Sequence, residues 1–383
     1  MRYRLHRRFK GKFASLALAL TILMVVAAAA GQLAAAEPTK VDVFTAGEEG
    51  YHTYRIPALL ATPSGTLLAI CEGRKTGRGD HGDLDLVLKR SNDGGRTWGP
   101  LELIYEEGGD KKITIGNPCP VFDKETGVIW LPLTRDNDDV LVTSSSDDGK
   151  TWTKPRDITV DVKQKNWNWY ATGPGNGIQL RRGKYAGRLV IPCDHRVDGA
   201  TNDWGHAGRS HVIYSDDHGK TWKLGGATGF AMNECAVVEM PDGELKLNMR
   251  SYRGKGRRGV SVSRDGGQTW SEPVDDETLI ESVCQGSFIR HSWVEDGRNR
   301  VLFSNPATTK GRHHLTVRLS YDDGQTWPVS KLLYEPSSAY SSLATLPFGK
   351  IGILYERDDY KKITFSDFDL DWLTDGKDKG DGR

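Results

Sequence analysis

The sequence predicts an all-β fold, a six-bladed β-propeller. Three observations predict it: one turn-forming octapeptide written five times, the spacing of its copies, and a composition weighted to glycine and aromatic residues. The octapeptide is Ser-x-Asp-x-Gly-x-Thr-Trp, and it starts at Ser91, Ser145, Ser215, Ser263 and Ser320 without a departure. In each copy the Ser and Asp side chains can satisfy turn amides, Gly supplies a positive φ, and Trp is left to pack inward. Alternating apolar runs precede the copies, such as Leu84, Leu86 and Leu88, or Leu315, Val317 and Leu319, so each copy reads as the closure of a β-hairpin. Successive starts lie 54, 70, 48 and 57 residues apart, on average about 57, which suits a four-stranded blade. Of the 383 residues, 347 follow position 36, enough for about six such units. Five would carry the octapeptide. The sixth would be closed by pairing a strand near Val41 to Phe44 with strands near Ile351 to Phe365. The 44 Gly, 11 Trp and 13 Tyr fit many tight turns and aromatic wedges.

The two ends read differently. Residues 1–36 form an export leader: the basic MRYRLHRRFKGKF, an apolar stretch, and the small residues Ala34 and Ala36 before Glu37. The apolar stretch is also long enough to stay in a bilayer as a signal anchor. In either case the remainder is expected to be exported, secreted or periplasmic, with a membrane as partner only if the leader is retained. Residues 37–374 are assigned to the propeller and the tail 375–383, DGKDKGDGR, to disorder. With 52 Lys and Arg against 51 Asp and Glu, the net charge of +1 gives no electrostatic case for nucleic acid. A monomer is expected. The five cysteines, Cys71, Cys119, Cys193, Cys235 and Cys284, stand singly in apolar segments with no CxxC and no metal-ligand spacing, which predicts buried thiols, at least one of them unpaired, and no metal or cofactor.

The octapeptides resemble the Asp-boxes of the sialidase superfamily, where the box is a structural device and does not itself prove catalysis. Residues outside the boxes extend the resemblance over about Phe44 to Leu370. YRIP at Tyr54 to Pro57 is similar to the Arg-Ile-Pro motif of that family and makes Arg55 the first of three arginines that grip a substrate carboxylate. NMRS gives Arg250 as the second, and TVRLS, two residues before the fifth box, gives Arg318 as the third. The chemistry suits the residue types. Sialic acid carries a carboxylate on its anomeric carbon, and guanidinium forks bind carboxylates bidentately and stay charged. That carboxylate would repel an Asp or Glu nucleophile, and sialidases use a tyrosine instead.

By the same resemblance Tyr340, in SSAYSSLATLP, is the nucleophile and Glu234, in MNECAVVEM, takes its proton. The acid/base aspartate lies in GRKTGRGDHGDLDLVLKRS, where Asp80 is favoured over Asp83 and Asp85, on a loop made mobile by Gly77, Gly79 and Gly82. CEGR, NPCP and CQGS place Arg74, Asn117 and Gln285 in the pocket, and GPGNGIQL and YERDDY extend the likeness. Trp167, Trp169 and His195 are looser candidates for the glycerol or aglycone side, with loop packing an equal reading. The resemblance implies a retaining exo-α-sialidase acting on sialylated glycoproteins, glycolipids or oligosaccharides. Two alternatives stand beside it: a hydrolase of a related nonulosonic or ulosonic acid, and a non-catalytic glycan-binding propeller.

Overall fold

The structure, a computed structural model, describes residues 36–109 and 111–380. Except for Ala36, the leader lies outside the described residues. What is described is all-β: small antiparallel sheets in a propeller-like arrangement, with only short helical turns between them. The first sheet runs in chain order through Thr53–Ala61, Leu67–Arg74, Leu84–Ser91 and Glu102–Tyr105. The fourth runs the same way through Met232–Glu239, Leu245–Ser251, Arg257–Ser263 and Val274–Ile280. The second and third each have five strands, the innermost position being split into two pieces, Ile115–Gly116 with Val121–Phe122 and Trp167–Thr172 with Ile178–Gln179.

The last sheet has seven strands, because the 17-residue strand Val329–Thr345 serves two neighbours. Its first half pairs with His313–Ser320 and its second half with Ile351–Arg357. The chain closes on itself here. Val41 lies opposite Phe365, so the N-terminal strand Val41–Thr45 completes the C-terminal sheet beside Lys362–Phe368.

The core lies between sheets rather than at one centre. Leu68, Ile70 and Leu86 of the first sheet meet Ile129, Leu131 and Leu141 of the second. Val140 and Val142 meet Leu189 and Ile191 of the third, and Val190 and Val212 meet Val237 and Leu247 of the fourth. Ala236 and Val238 meet Phe288 and Phe303 of the last sheet, whose Leu354 and Phe365 pack on Leu59 and Leu67 of the first. Apolar residues on both faces of each sheet are what such packing requires, and they account for the long buried runs Thr53–Leu60 and Leu67–Arg74. All five cysteines are buried free thiols.

Each octapeptide joins the third strand of a sheet to the fourth. The Gly amide donates to the Ser hydroxyl at 2.7–2.9 Å in all five copies. The Ser hydroxyl donates to the Asp carboxylate, which also accepts the Thr amide. The Gly φ values run from 72° to 93°, in the left-handed region. A Cβ on Gly219 would stand 2.1 Å from the Trp130 ring of the preceding sheet, so space as well as φ demands glycine there.

The tail departs from expectation. Asp378 is buried and takes a two-pronged ion pair from Arg300, at 2.8 and 2.9 Å, which ties residues 375–380 to the last sheet. Asp378 facing buried Arg300, with Asp375 facing Lys331, ties down a segment whose composition alone reads as solvated; residues 381–383 lie outside the described residues.

Candidate active site

Because the sheets are antiparallel, starts of first strands and ends of second strands lie at the edge opposite the octapeptide turns. That edge carries a cavity of about 430 Å³. Tyr340, Arg55 and Glu234 face it from innermost strands and Arg250 from a second strand; Arg312 reaches it from the loop before His313–Ser320. A larger cavity of about 560 Å³, lined mainly by apolar residues such as Leu59, Ala236 and Leu343, contains none of these groups.

Tyr340 is the centre of the polar site. Its hydroxyl donates to Glu234 Oε1 and accepts from Arg250 Nη1 at 3.2 Å, while Arg250 Nη1 also meets Glu234 Oε2 at 2.7 Å. The Arg55 and Arg312 guanidinium groups stand 5.3 and 5.5 Å from its ring centre. Burial, and then the Glu234 charge, push the phenol well above its usual range against the pull of Arg250 and Arg312, so the free protein holds it neutral.

The arginines are themselves held. Burial alone would lower the proton affinity of Arg55, but the Glu356 and Tyr340 charges raise it. Glu356 is fully buried and organises the centre: Oε1 accepts from Arg55 Nε at 2.7 Å and from the Ile56 amide at 2.9 Å, and Oε2 from the Tyr340 amide at 3.1 Å. Ile56 has φ 61° and Val283 φ 56°, a costly region for β-branched residues. The first is fastened by Glu356, and the second presents its carbonyl to Arg312 Nη2 at 3.2 Å. Arg250 Nη2 donates to the Tyr252 hydroxyl at 2.6 Å.

On the first sheet, Arg74 donates to Glu72 and, across the loop, to the carbonyls of Arg78 and Gly79 and to Asp80 at 2.9 Å. Arg55 lies 3.9 Å from Asp80. Burial tends to raise the Asp80 carboxyl, but the Arg74 charge and hydrogen bond, with Arg55 behind them, hold it below the ordinary aspartate value. Asp83 and Asp85 do not line the cavity; both pair with Lys75 at 3.2 Å, and Asp85 also accepts the Tyr51 hydroxyl. Asn117, with φ 56°, lines the cavity and donates to Thr134.

Two expected residues fall elsewhere. Arg318 lies six residues beyond Arg312, toward the other end of His313–Ser320 and at most about 20 Å away at the rise of a β-strand. It is buried near the octapeptide turns and donates to Asn305. The third guanidinium beside Tyr340 is Arg312. Position two before a box already assigns Arg318 to the turn edge, so the signal against it was in the sequence. Gln285 lines the larger cavity, where it clasps the Ser341 backbone in both directions and donates to the Pro174 carbonyl; this clasp engages both ends of its amide. Trp169 lines the polar cavity. Trp167 and His195 lie outside its lining, buried and stacked on each other with ring centres 3.4 Å apart. Glu356, inside the noted YERDDY segment, and Arg312 were not singled out from sequence.

Residues 65–353 match the family of BNR repeat-like domains. The chain is 38% identical to a sialidase of Micromonospora viridifaciens over 94% of its own length and 59% of that protein. It is 30% identical to mouse Sialidase-2, covering 84% of this chain and 93% of that one. The chain belongs to the sialidase family. Among solved structures, the Hadza microbial sialidase Hz136 superposes with TM-score 0.79 at 33% identity, over 88% of this sialidase-family chain and 69% of that one. The chain thus spans about three-fifths of the Micromonospora relative's length.

Proposed function

We propose that this chain is an exo-α-sialidase that releases terminal sialic acid from glycans with retention of configuration, through a tyrosyl-enzyme. One observation carries the reading: a neutral, buried Tyr340 hydroxyl bonded to a carboxylate and surrounded by Arg55, Arg250 and Arg312. Three guanidinium groups around one phenol suit a substrate with a carboxylate on the reacting carbon, and a neutral nucleophile suits it for the same reason. As Tyr340 Oη bonds to the anomeric carbon, its proton passes to Glu234 and the C–O bond to the leaving group breaks, with Asp80 supplying the proton to the departing oxygen. A substrate carboxylate docked on Arg55 offsets that arginine's pull on Asp80, and the sugar strips water from it. Both changes raise its proton affinity toward that of a usable acid. Water then attacks the anomeric carbon of the tyrosyl-linked sugar, with Asp80 as base and Glu234 returning the proton to Tyr340. Arg74 and Asn117 are assigned to holding the Asp80 loop and the sugar.

The architecture belongs to the same reading. We read it as six four-stranded blades, the two halves of Val329–Thr345 belonging to different ones, with five blades closed by an Asp-box hairpin and the sixth by Val41–Thr45; the pairing of that long strand with a neighbour on each side supports the reading. The leader sequence favours an exported enzyme with sialylated glycans as its partners.

The test is direct. The purified chain is given natural and aryl sialosides, free sialic acid is measured, and the first-formed anomer is read by proton NMR. Release of the α-anomer is the expected result. No release by protein that melts cooperatively, or a β-anomer first, overturns the proposal.

A further inference from the structure

Asp194, on the strand Leu189–Val197 of the third sheet, borders the polar cavity without belonging to the arginine clamp or the nucleophile pair. It is fully buried. Its Oδ2 accepts from Asn233 Nδ2 at 2.7 Å and Trp169 Nε1 at 3.2 Å. Its Oδ1, equally buried, has no hydrogen-bond partner among the described residues. Buried carboxyl oxygens are rarely left so, and an orphan on a cavity wall marks a group whose partner arrives with the ligand.

The neighbours narrow that partner. Burial, followed by the charge of Glu234, drives the Asp194 carboxyl well above its usual range, with Arg250 and the Trp169 hydrogen bond opposing. Both lone-pair directions of Oδ2 are occupied, which leaves Oδ1 as the carboxyl atom free to meet a ligand. A ligand anion would face Glu234. A sugar hydroxyl, donor and acceptor together, fits. Trp169, Trp204 and Tyr252 also line the cavity, with ring centres 5.5 and 5.8 Å apart in edge-to-face pairs, an aromatic lining of the kind that packs against the C–H surface of a sugar.

We propose that Asp194 is a specificity residue, hydrogen-bonded through Oδ1 to one free hydroxyl of the bound sugar, so that the enzyme discriminates against substrates in which that hydroxyl is removed or acylated. The inference rests on the sialidase reading above. It adds a polar recognition point on the third-sheet wall of the cavity.

The experiment compares kcat/KM for an aryl sialoside with its 4-, 7-, 8- and 9-deoxy analogues, in the wild type and in Asp194→Ala. One deoxy position is expected to cost the wild type roughly 10-fold or more, the worth of leaving a buried polar group unpaired, and the variant no more than about 2-fold. The sensitive position identifies the hydroxyl. Equal sensitivity in both proteins overturns the proposal, since a structural aspartate would depress all substrates alike. Should Asp194→Ala fail to fold, Asp194→Asn replaces it, and its ranking of the analogues must differ from the wild type's. A wild type indifferent to all four deletions overturns the proposal without any variant. Turnover of the parent sialoside by the wild type is measured first, so failure of the sialidase reading itself is seen separately.

Discussion

The two edges of the sheets are built on opposite plans. At the octapeptide edge five turns repeat the same hydrogen bonds and the same pair of left-handed residues, Gly94–Gly95, Asp148–Gly149, His218–Gly219, Gly266–Gly267 and Asp323–Gly324. Each turn satisfies itself, so it can be copied from sheet to sheet. At the cavity edge the connections between second and third strands differ in length, from residues 136–138 to residues 198–207. Left-handed conformations fall there on Ile56, Asn117, Ala231 and Val283, and buried Glu356 and Arg74 are spent on holding other side chains in place. Such strain is tolerated because the repeating edge and the inter-sheet cores fix the frame. Self-satisfying turns therefore lie where the sequence repeats, and the polar cavity where it does not.

The division can be broken by mutation, and the largest effect tests the cavity edge. Tyr340→Phe removes one hydroxyl and should lower kcat by at least roughly 10³-fold with an unchanged Tm, since removing a nucleophile costs far more than removing a group that only binds. Asp80→Ala should cost roughly 10² to 10⁴ on a natural sialoside, the usual worth of general acid catalysis. The loss in phenol release from an aryl sialoside, measured before steady state, should be much smaller. Equal losses would remove Asp80 from the acid role.

Arg312 and Arg318 stand on one stretch of chain and divide the two edges between them. Arg312→Ala should lower kcat/KM by roughly 10- to 100-fold, the worth of a single charge-assisted hydrogen bond to the substrate, with little change in Tm. Arg318→Ala should do the reverse, lowering Tm while kcat/KM stays within about 3-fold. An exchange of these outcomes would restore the arrangement expected from the sequence. Gly219→Ala should destabilise by at least ~1 kcal/mol, through φ 79° and the Trp130 clash, and leave kcat of the folded protein unaltered.

The smallest effect is one of pH. Hydrogen bonds from Thr97 and Thr151 hold Asp93 and Asp147 down at about 2, against 3.8 unperturbed. A depressed carboxylate contributes stability that is complete above the unfolded value and lost as pH falls toward the folded one. Tm should therefore drop between about pH 4 and 2, and less steeply in Asp93→Asn than in the wild type.

These contrasts also explain what could be read in advance. The octapeptide edge was legible because its turns are local: Ser91 bonds Gly95 and Asp93 bonds Thr97 within one copy. The ring closure was legible because apolar strands flank both ends of the chain. At the cavity edge Arg55, Glu234, Arg250 and Tyr340 were found as residue types in recognisable settings. Arg312 was missed because its role depends on lying at a strand's beginning, a matter of position along the sheet that residue type does not carry. Glu356 was passed over because two of its three bonds join Arg55 and Ile56, 301 and 300 positions away, pairings that only the closure of the chain on itself creates. Asp378 reads as disordered for the same reason, its partner Arg300 lying 78 positions back.

The central claim is that Tyr340 bonds covalently to the sugar between Arg55, Arg250 and Arg312. A 3-fluorosialosyl fluoride slows both chemical steps by withdrawing charge at the neighbouring carbon while keeping a good leaving group, so the adduct should accumulate. Intact mass and peptide mapping of the quenched protein measure it. The account predicts one sialosyl group per chain on the peptide containing Tyr340, absent in Tyr340→Phe. A label on Asp80 or Glu234 in the wild type, or turnover of the reagent with no adduct at any quench time, would contradict it.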